Sequence, residues 1–302
     1  MKRISGVDLM LLGTVLLWSL NITVTRYVVS HGFQPLAYAT TRYFSATLLF
    51  WGFTWRRERT FRIALSDAKL VVLAAALIFA NQLVFVTSVH LTNASTVGLV
   101  LGTTPIFVGI VATAFGLERP GRAFWVAAIV SFAGVGLIGG GASGSLSGDL
   151  LGDVLALATA ATWGCYSVAI TPLMRRYSPF RISALVLALG WVPLALVSIP
   201  QLASQGTRGF GWTMGLAFGF AVVGPLFLTN ILWFTAIARV GPSRASLFAN
   251  LEPFFAVLFA VLLLSEHLTG WEIAGGVAIA IGIALERIAQ KRMPETIAVL
   301  GD

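Results

Sequence analysis

Residues 95–118, STVGLVLGTTPIFVGIVATAFGLE, return 148 positions later as residues 243–266, SRASLFANLEPFFAVLFAVLLLSE. At that one offset Ser95 meets Ser243, Leu99 meets Leu247, Pro105 meets Pro253, Phe107 meets Phe255 and Glu118 meets Glu266. Each copy holds one apolar run of the length that crosses a bilayer as a helix, about 20 residues. The register extends outward from it. Phe79 pairs with Phe227, Thr87 with Thr235 and Gly134 with Gly282 at the same offset. Nearer the start of each half the offset slips slightly: Asp8 pairs with Asp153, Leu12 with Leu157 and Trp18 with Trp163 at 145, and Pro35 with Pro179 at 144. The chain is therefore read as two copies of one unit, residues 1–144 and 145–302.

Composition fixes the medium in which that unit folds. Of 302 residues 57% are hydrophobic and only 11% charged, against roughly 25% charged in soluble domains, and the mean hydropathy is +0.88. Apolar runs lie near 7–27, 35–55, 69–89, 95–115, 122–141, 150–171, 180–199, 212–237, 243–265 and 271–289. They are continuously apolar, without the period of two that a membrane β-barrel requires. The expectation is an all-α integral membrane protein with ten transmembrane helices. The opening Met1-Lys2-Arg3 before an apolar run resembles a secretory signal, but Asp8, Trp18 and Asn21 interrupt that run and no small-x-small cleavage site follows. It is read as a retained helix. The single Cys165 allows neither an internal disulfide nor a thiolate cluster.

The formal charge of +8 describes topology rather than nucleic-acid binding. With the N-terminus inside, seventeen of the twenty Lys and Arg residues fall on inner segments, which places both termini in the cytoplasm. Five spans per half is an odd number, so the second half enters the membrane upside down. The loops agree. Residues 56–69 carry Arg56, Arg57, Arg59, Arg62 and Lys69, while the counterpart at 200–211 carries only Arg208; residues 28–34 carry no Lys or Arg, while their counterpart has Arg175, Arg176 and Arg181. An inverted five-plus-five repeat is a device of transporters that expose a midplane site alternately to each side.

The stretch from Pro253-Phe-Phe-Ala-Val through Ser265-Glu266-His-Leu-Thr to Gly275-Gly276 and Gly282 resembles the repeated signature of the drug/metabolite transporter superfamily, EamA type. The first copy runs Pro105-Ile-Phe-Val, Leu117-Glu118-Arg-Pro, Gly134-Val-Gly136. Leu117 and Ser265 stand where the family usually has glycine before the glutamate. The resemblance covers essentially the whole chain. It implies an exporter of small metabolites in the bacterial inner membrane, with a central cavity lined by helices 1, 3, 4, 6, 8 and 9. Within the family, Leu17-Trp18-Ser19 and Asn230 are similar to aromatic amino-acid exporters of the YddG type.

Helical spacing selects candidate site residues independently. Thr14, Trp18, Asn21 and Thr25 share one face of the first span, and Thr159, Trp163 and Tyr166 take the matching positions of the sixth. The third span offers Asn81, Phe85 and Ser88, and the eighth Thr229, Trp233 and Ala236. Polar groups facing lipid are costly, so such stripes face a cavity or a neighbouring helix. Aromatic rings beside Asn and Thr suit a small amphipathic ligand, such as an amino acid with a bulky side chain. The bland alternative is hydrogen bonding between helices, about 0.6 kcal/mol each. The fourth and ninth spans present small residues, with Asn250 on the same face as Ser243 and Ser246. Pro105 and Pro253 each remove a helical hydrogen bond, freeing the carbonyls of Leu101 and Ala249; with Pro225 they are candidate hinges. Glu252 and Arg42 are the charges well inside spans, candidates for proton coupling or for a static pair. In an unbroken helix Glu252 points away from the Asn250 face.

The leading functional reading is a secondary exporter of small amphipathic metabolites, first among them amino acids with aromatic or bulky hydrophobic side chains. Nucleosides, purines and cationic drugs are the alternatives within transport; a membrane-embedded enzyme or a channel are those outside it. No His-Glu-x-x-His helix and no phosphate-binding glycine loop occurs. The chain is thus expected to use no cofactor, metal or ATPase subunit, with the lipid bilayer and a small molecule as its partners.

Overall fold

The computed structural model describes residues 6–115, 148–206, 210–240 and 251–292, with isolated positions between 121 and 137 and between 245 and 249. The chain forms α1 (Gly6–Ser30), α2 (Pro35–Glu58), α3 (Leu65–Leu91), α4 (Ala94–Leu101) and α5 (Thr104–Ala114). After these come α6 (Gly148–Met174), α7 (Pro179–Ser204), α8 (Trp212–Val222), a π-helical turn (Val223–Leu228), α9 (Thr229–Val240), α10 (Glu252–Leu264) and α11 (Gly270–Arg292). Among the described residues there is no strand. Among the described residues six helices are long and apolar enough to cross a membrane: α1, α3, α4 with α5, α6, α7, and α8 through α9. Shorter apolar helices cover Glu252–Leu264 and Ile273–Gly282. The expected fifth span, 122–141, and the start of the ninth fall largely outside the described residues.

Prolines mark the helix starts. Pro35 and Pro179, paired in the sequence, open α2 and α7, where a fixed φ suits the first turn and no N–H is needed. Pro105 and Pro253 also sit in first turns, of α5 and α10. The fourth span is therefore interrupted at Gly102-Thr103 rather than gently kinked. There the chain tightens, with Gly102 N donating to Leu99 O and Thr103 N to Val100 O. At the equivalent place Leu251 N donates to Phe248 O at 2.9 Å and the helix restarts at Glu252.

The burial pattern inverts that of a soluble protein. Trp51, Leu196, Leu216 and Leu262 are exposed on the outside, whereas Arg42, Asn81, Gln82 and Thr229 are buried within. Backbone groups pair within helices, and side-chain polar groups must find partners inside the bundle. α3 lies along α6 and α7, α2 along α7, α4 crosses α10, and α1 touches α9 and α10. The α4–α10 crossing is close because of glycine: a Cβ on Gly98 would collide with Ala256 Cβ, and one on Gly102 would lie 2.6 Å from Pro253 Cγ.

The halves are tied at both ends. At one end Arg176 pairs with Asp67 at 2.6 Å and Arg181 with Glu58 at 2.6 Å, while Tyr177 Oη donates to Asp67 and Ser178 Oγ to Glu58. At the other, the Glu266 carboxylate accepts from Ala94 N, Ser95 N and Ser95 Oγ, capping α4 from the opposite half. Ser265, just before it, ends α10 with a left-handed φ of 54°. That conformation is one that glycine adopts without strain at a helix end.

Candidate functional site

The interruptions in the fourth and ninth spans flank a cavity of about 100 Å³ inside the bundle. Its aromatic lining includes Trp18 of α1, Phe85 of α3, and Trp163 and Tyr166 of α6. Its polar lining includes Asn21 of α1, Arg42 of α2, Asn81 and Gln82 of α3, and Asn230 of α9. Thr104 and Glu252, paired in the sequence and each the first residue of its half-helix, also reach the wall. Discontinuous helices that start at membrane depth are tolerated where they line a cavity, and they place polar backbone there.

Trp18 is held in place by its neighbours. Its ring meets Trp163 edge-on at 5.1 Å and Trp233 at 4.9 Å, and its Nε1 donates to Thr229 Oγ1 at 2.9 Å. The Thr229 hydroxyl in turn donates to the carbonyl of Pro225 at 2.5 Å. Pro225 lies in the π-helical turn, where a wide turn leaves carbonyls for side chains to satisfy. Asn230 Nδ2 does the same for Leu226 O, at 2.7 Å.

Apart from Asn230, the polar lining is one connected network. Arg42 Nη1 donates to Asn21 Oδ1 at 3.0 Å and Nη2 to Gln82 Oε1 at 2.7 Å. Gln82 Nε2 donates to Asn81 Oδ1 at 3.1 Å, and Asn81 Nδ2 reaches across to the Thr159 carbonyl and the Thr162 hydroxyl of α6. Four helices are thereby joined through uncharged amides to a guanidinium that is 1% exposed. The guanidinium also lies 5.0 Å from the Tyr38 ring centroid. Arg42 forms no ion pair among the described residues, and neither does Glu252. The static Arg42–Glu252 pair considered from the sequence is absent.

Most of the residues picked by spacing converge here: Trp18, Asn21, Asn81, Phe85, Trp163 and Tyr166 all line the cavity, as do Pro225, Arg42 and Glu252. Two do not. Thr229 and Trp233 are buried behind Trp18, one as its hydrogen-bond acceptor and the other as its packing surface, so they support the wall without forming it. Asn250 lies outside the described residues. Glu252 faces the cavity because the chain tightens just before it. Gln82, Tyr43 and Thr104 are wall residues that spacing missed, and α2 and α7 contribute to the wall in addition to the six helices expected. An amide in mid-span beside Asn81 was the available signal for Gln82.

The EamA-like transporter family model matches residues 5–140 and again residues 150–286. The chain is 27% identical over 296 residues to an uncharacterised transporter of Archaeoglobus fulgidus, covering 92% of this chain and 97% of that one. It is also 27% identical over 278 residues to the uncharacterised transporter YdeK of Bacillus subtilis, covering 90% and 94%. A solved crystal structure superposes with a TM-score of 0.69 at 19% identity, over 97% of this chain and 99% of the other.

Proposed function

The chain belongs to the EamA-like transporter family of the drug/metabolite transporter superfamily, and from that premise we propose that it exports small amphipathic metabolites through the central cavity. Amino acids with aromatic or bulky hydrophobic side chains are the foremost candidates, as in exporters of the YddG type. It is a multi-pass membrane transporter rather than an enzyme. The finer topology belongs to the same proposal: ten spans as an inverted five-plus-five repeat, divided at 144–145, in the bacterial inner membrane with both termini cytoplasmic. Substrate binds among Trp18, Asn21, Trp163 and Tyr166, and the halves rock about the interruptions at Pro105 and Pro253 and the π-helical turn at Pro225.

The observation that carries this reading is one cavity combining aromatic faces with fixed hydrogen-bond groups at the point where both paired spans break. Apolar area and a preferred ring geometry come from the indoles, and directionality from the amides. The unpaired Glu252 carboxylate favours one second reading, organic cations.

The test is flux of labelled phenylalanine across liposomes holding the purified protein, with and without a pH gradient. Saturable flux displaced by unlabelled bulky amino acids, but not by nucleosides or cationic drugs, is the expected result. Flux of an organic cation without flux of phenylalanine overturns the amino-acid reading in favour of the second.

A further inference from the structure

Arg42 and Glu252 share one small cavity, yet neither has a counter-ion among the described residues. A guanidinium remains charged at any physiological pH, and a buried charge is stable only where opposite charge or dense hydrogen bonding answers it. The partners of Arg42 are the neutral oxygens of Asn21 and Gln82. Both terminal nitrogens are oriented by these bonds, and Nε is buried without an acceptor. A charged donor left unpaired in a native interior calls for an explanation, and a guanidinium is shaped to take a carboxylate by two parallel bonds. The acid comes from the opposite half of the chain. Glu252 opens its half-helix, its backbone carbonyl is held by Ser19 of α1 at 3.1 Å, and its side chain reaches the cavity wall. The site thus offers one guanidinium and one carboxyl group, from opposite halves of the chain and not paired with each other, in a cavity that aromatic rings also line.

We propose that Arg42 anchors the carboxylate of the substrate and Glu252 its ammonium, so that the transported species is a zwitterion held at both ends. This rests on the reading of the cavity as the transport site and deepens it, assigning each end of an α-amino acid to a named group. The arrangement selects against molecules carrying only one of the two charges, because binding them leaves a buried group of the opposite kind unanswered. The network Asn21–Arg42–Gln82–Asn81 is then the scaffold that keeps the guanidinium from swinging to meet Glu252 when the cavity is empty.

Binding is read by quenching of tryptophan fluorescence in the full-length purified protein. The ligands are phenylalanine, phenethylamine and 3-phenylpropionate, and in parallel leucine, isoamylamine and 4-methylpentanoate. The wild type is expected to bind each zwitterion about 10- to 100-fold more tightly than either truncated analogue. Arg42→Gln should erase the preference for phenylalanine over phenethylamine while keeping that over phenylpropionate; Glu252→Gln should do the reverse. Arg42→Lys, which retains charge but loses the fork, should recover part of the lost discrimination and covers the case in which Arg42→Gln does not fold. A variant at Arg42 that weakens all ligands equally, or a wild type indifferent to the loss of carboxylate or amine, overturns the proposal. Charge-dependent binding in the leucine series alone keeps both anchors and removes the aromatic substrate class. Binding of aromatic ligands regardless of charge removes the anchors and leaves the cavity reading standing.

Discussion

The two halves of the chain use the same scaffold for different work, and the paired positions around the cavity show where they part. Trp18 and Trp163 are alike and meet each other edge to face. Asn81 bonds across to α6, and its counterpart Thr229 bonds across to Trp18 of α1, so each half reaches into the other by the same route. Beyond these the correspondence fails. Arg42 is matched by the buried Val186 and Glu252 by Thr104. Gln82 bonds other side chains of the network, whereas its counterpart Asn230 bonds the carbonyl four residues back in its own helical segment. The first half presents a cross-linked polar wall. The second presents a π-helical turn and one unpaired acid, and both halves contribute rings. A repeated fold therefore need not carry a repeated site: the frame stays paired because packing demands it, while the charges are divided, Arg42 in one half and Glu252 in the other.

The largest expected effect comes from forcing the halves to match. Val186→Arg puts a second guanidinium at a buried apolar position, and an unpaired buried charge costs several kcal/mol. The variant should not yield monodisperse protein on size-exclusion chromatography; a wild-type profile would mean the second half tolerates charge as the first does. A sharper version compares amides. Gln82→Leu strips an acceptor from Arg42 and a donor from Asn81, at a cost of about 2–3 kcal/mol, whereas Asn230→Leu removes one bond within its own helical segment, about 1 kcal/mol. Thermal unfolding in detergent should rank Gln82→Leu well below Asn230→Leu, and equal shifts would contradict the cross-linked wall. Gly98→Leu tests the frame that both halves share, since its side chain meets Ala256 on the crossing helix. Overpacking there should destabilise by about 1–3 kcal/mol, read as a lower unfolding temperature with binding of surviving protein unchanged. The smallest effect is a gain: Ser265→Gly relieves a left-handed serine and should raise stability by about 1 kcal/mol. Denaturation midpoints no higher than wild type would show that the serine is not strained.

Much of this is legible in the sequence. Pro105 and Pro253 mark hinges in the sequence, where the structure goes further and breaks the helix, and the midspan Trp18 and Trp163 mark an interior role, since belt residues do not sit at that depth. Depth around the cavity was less readable. Trp233 shares a face with Thr229, but periodicity gives a direction and not a distance, and Trp18 stands between Trp233 and the cavity. Gln82 was missed for a related reason. α3 packs on α6 and on α7, so the residue beside the stripe also faces inward. The side chain of Glu252 turned toward the cavity because three-residue bonding at Leu251 changes the helical phase, and that local tightening leaves no mark on hydrophobic periodicity.

The central claim is that the cavity between the halves is where substrate binds. Thr104 lies on its wall, and Cys165 is the only cysteine, so Thr104→Cys in a Cys165→Ser background gives one thiol at the site. The measurement is its alkylation rate in proteoliposomes with and without saturating phenylalanine, alongside flux of the same compound. The account predicts that phenylalanine slows alkylation several-fold, at concentrations that also saturate transport. Saturable phenylalanine transport with an unchanged alkylation rate would contradict it.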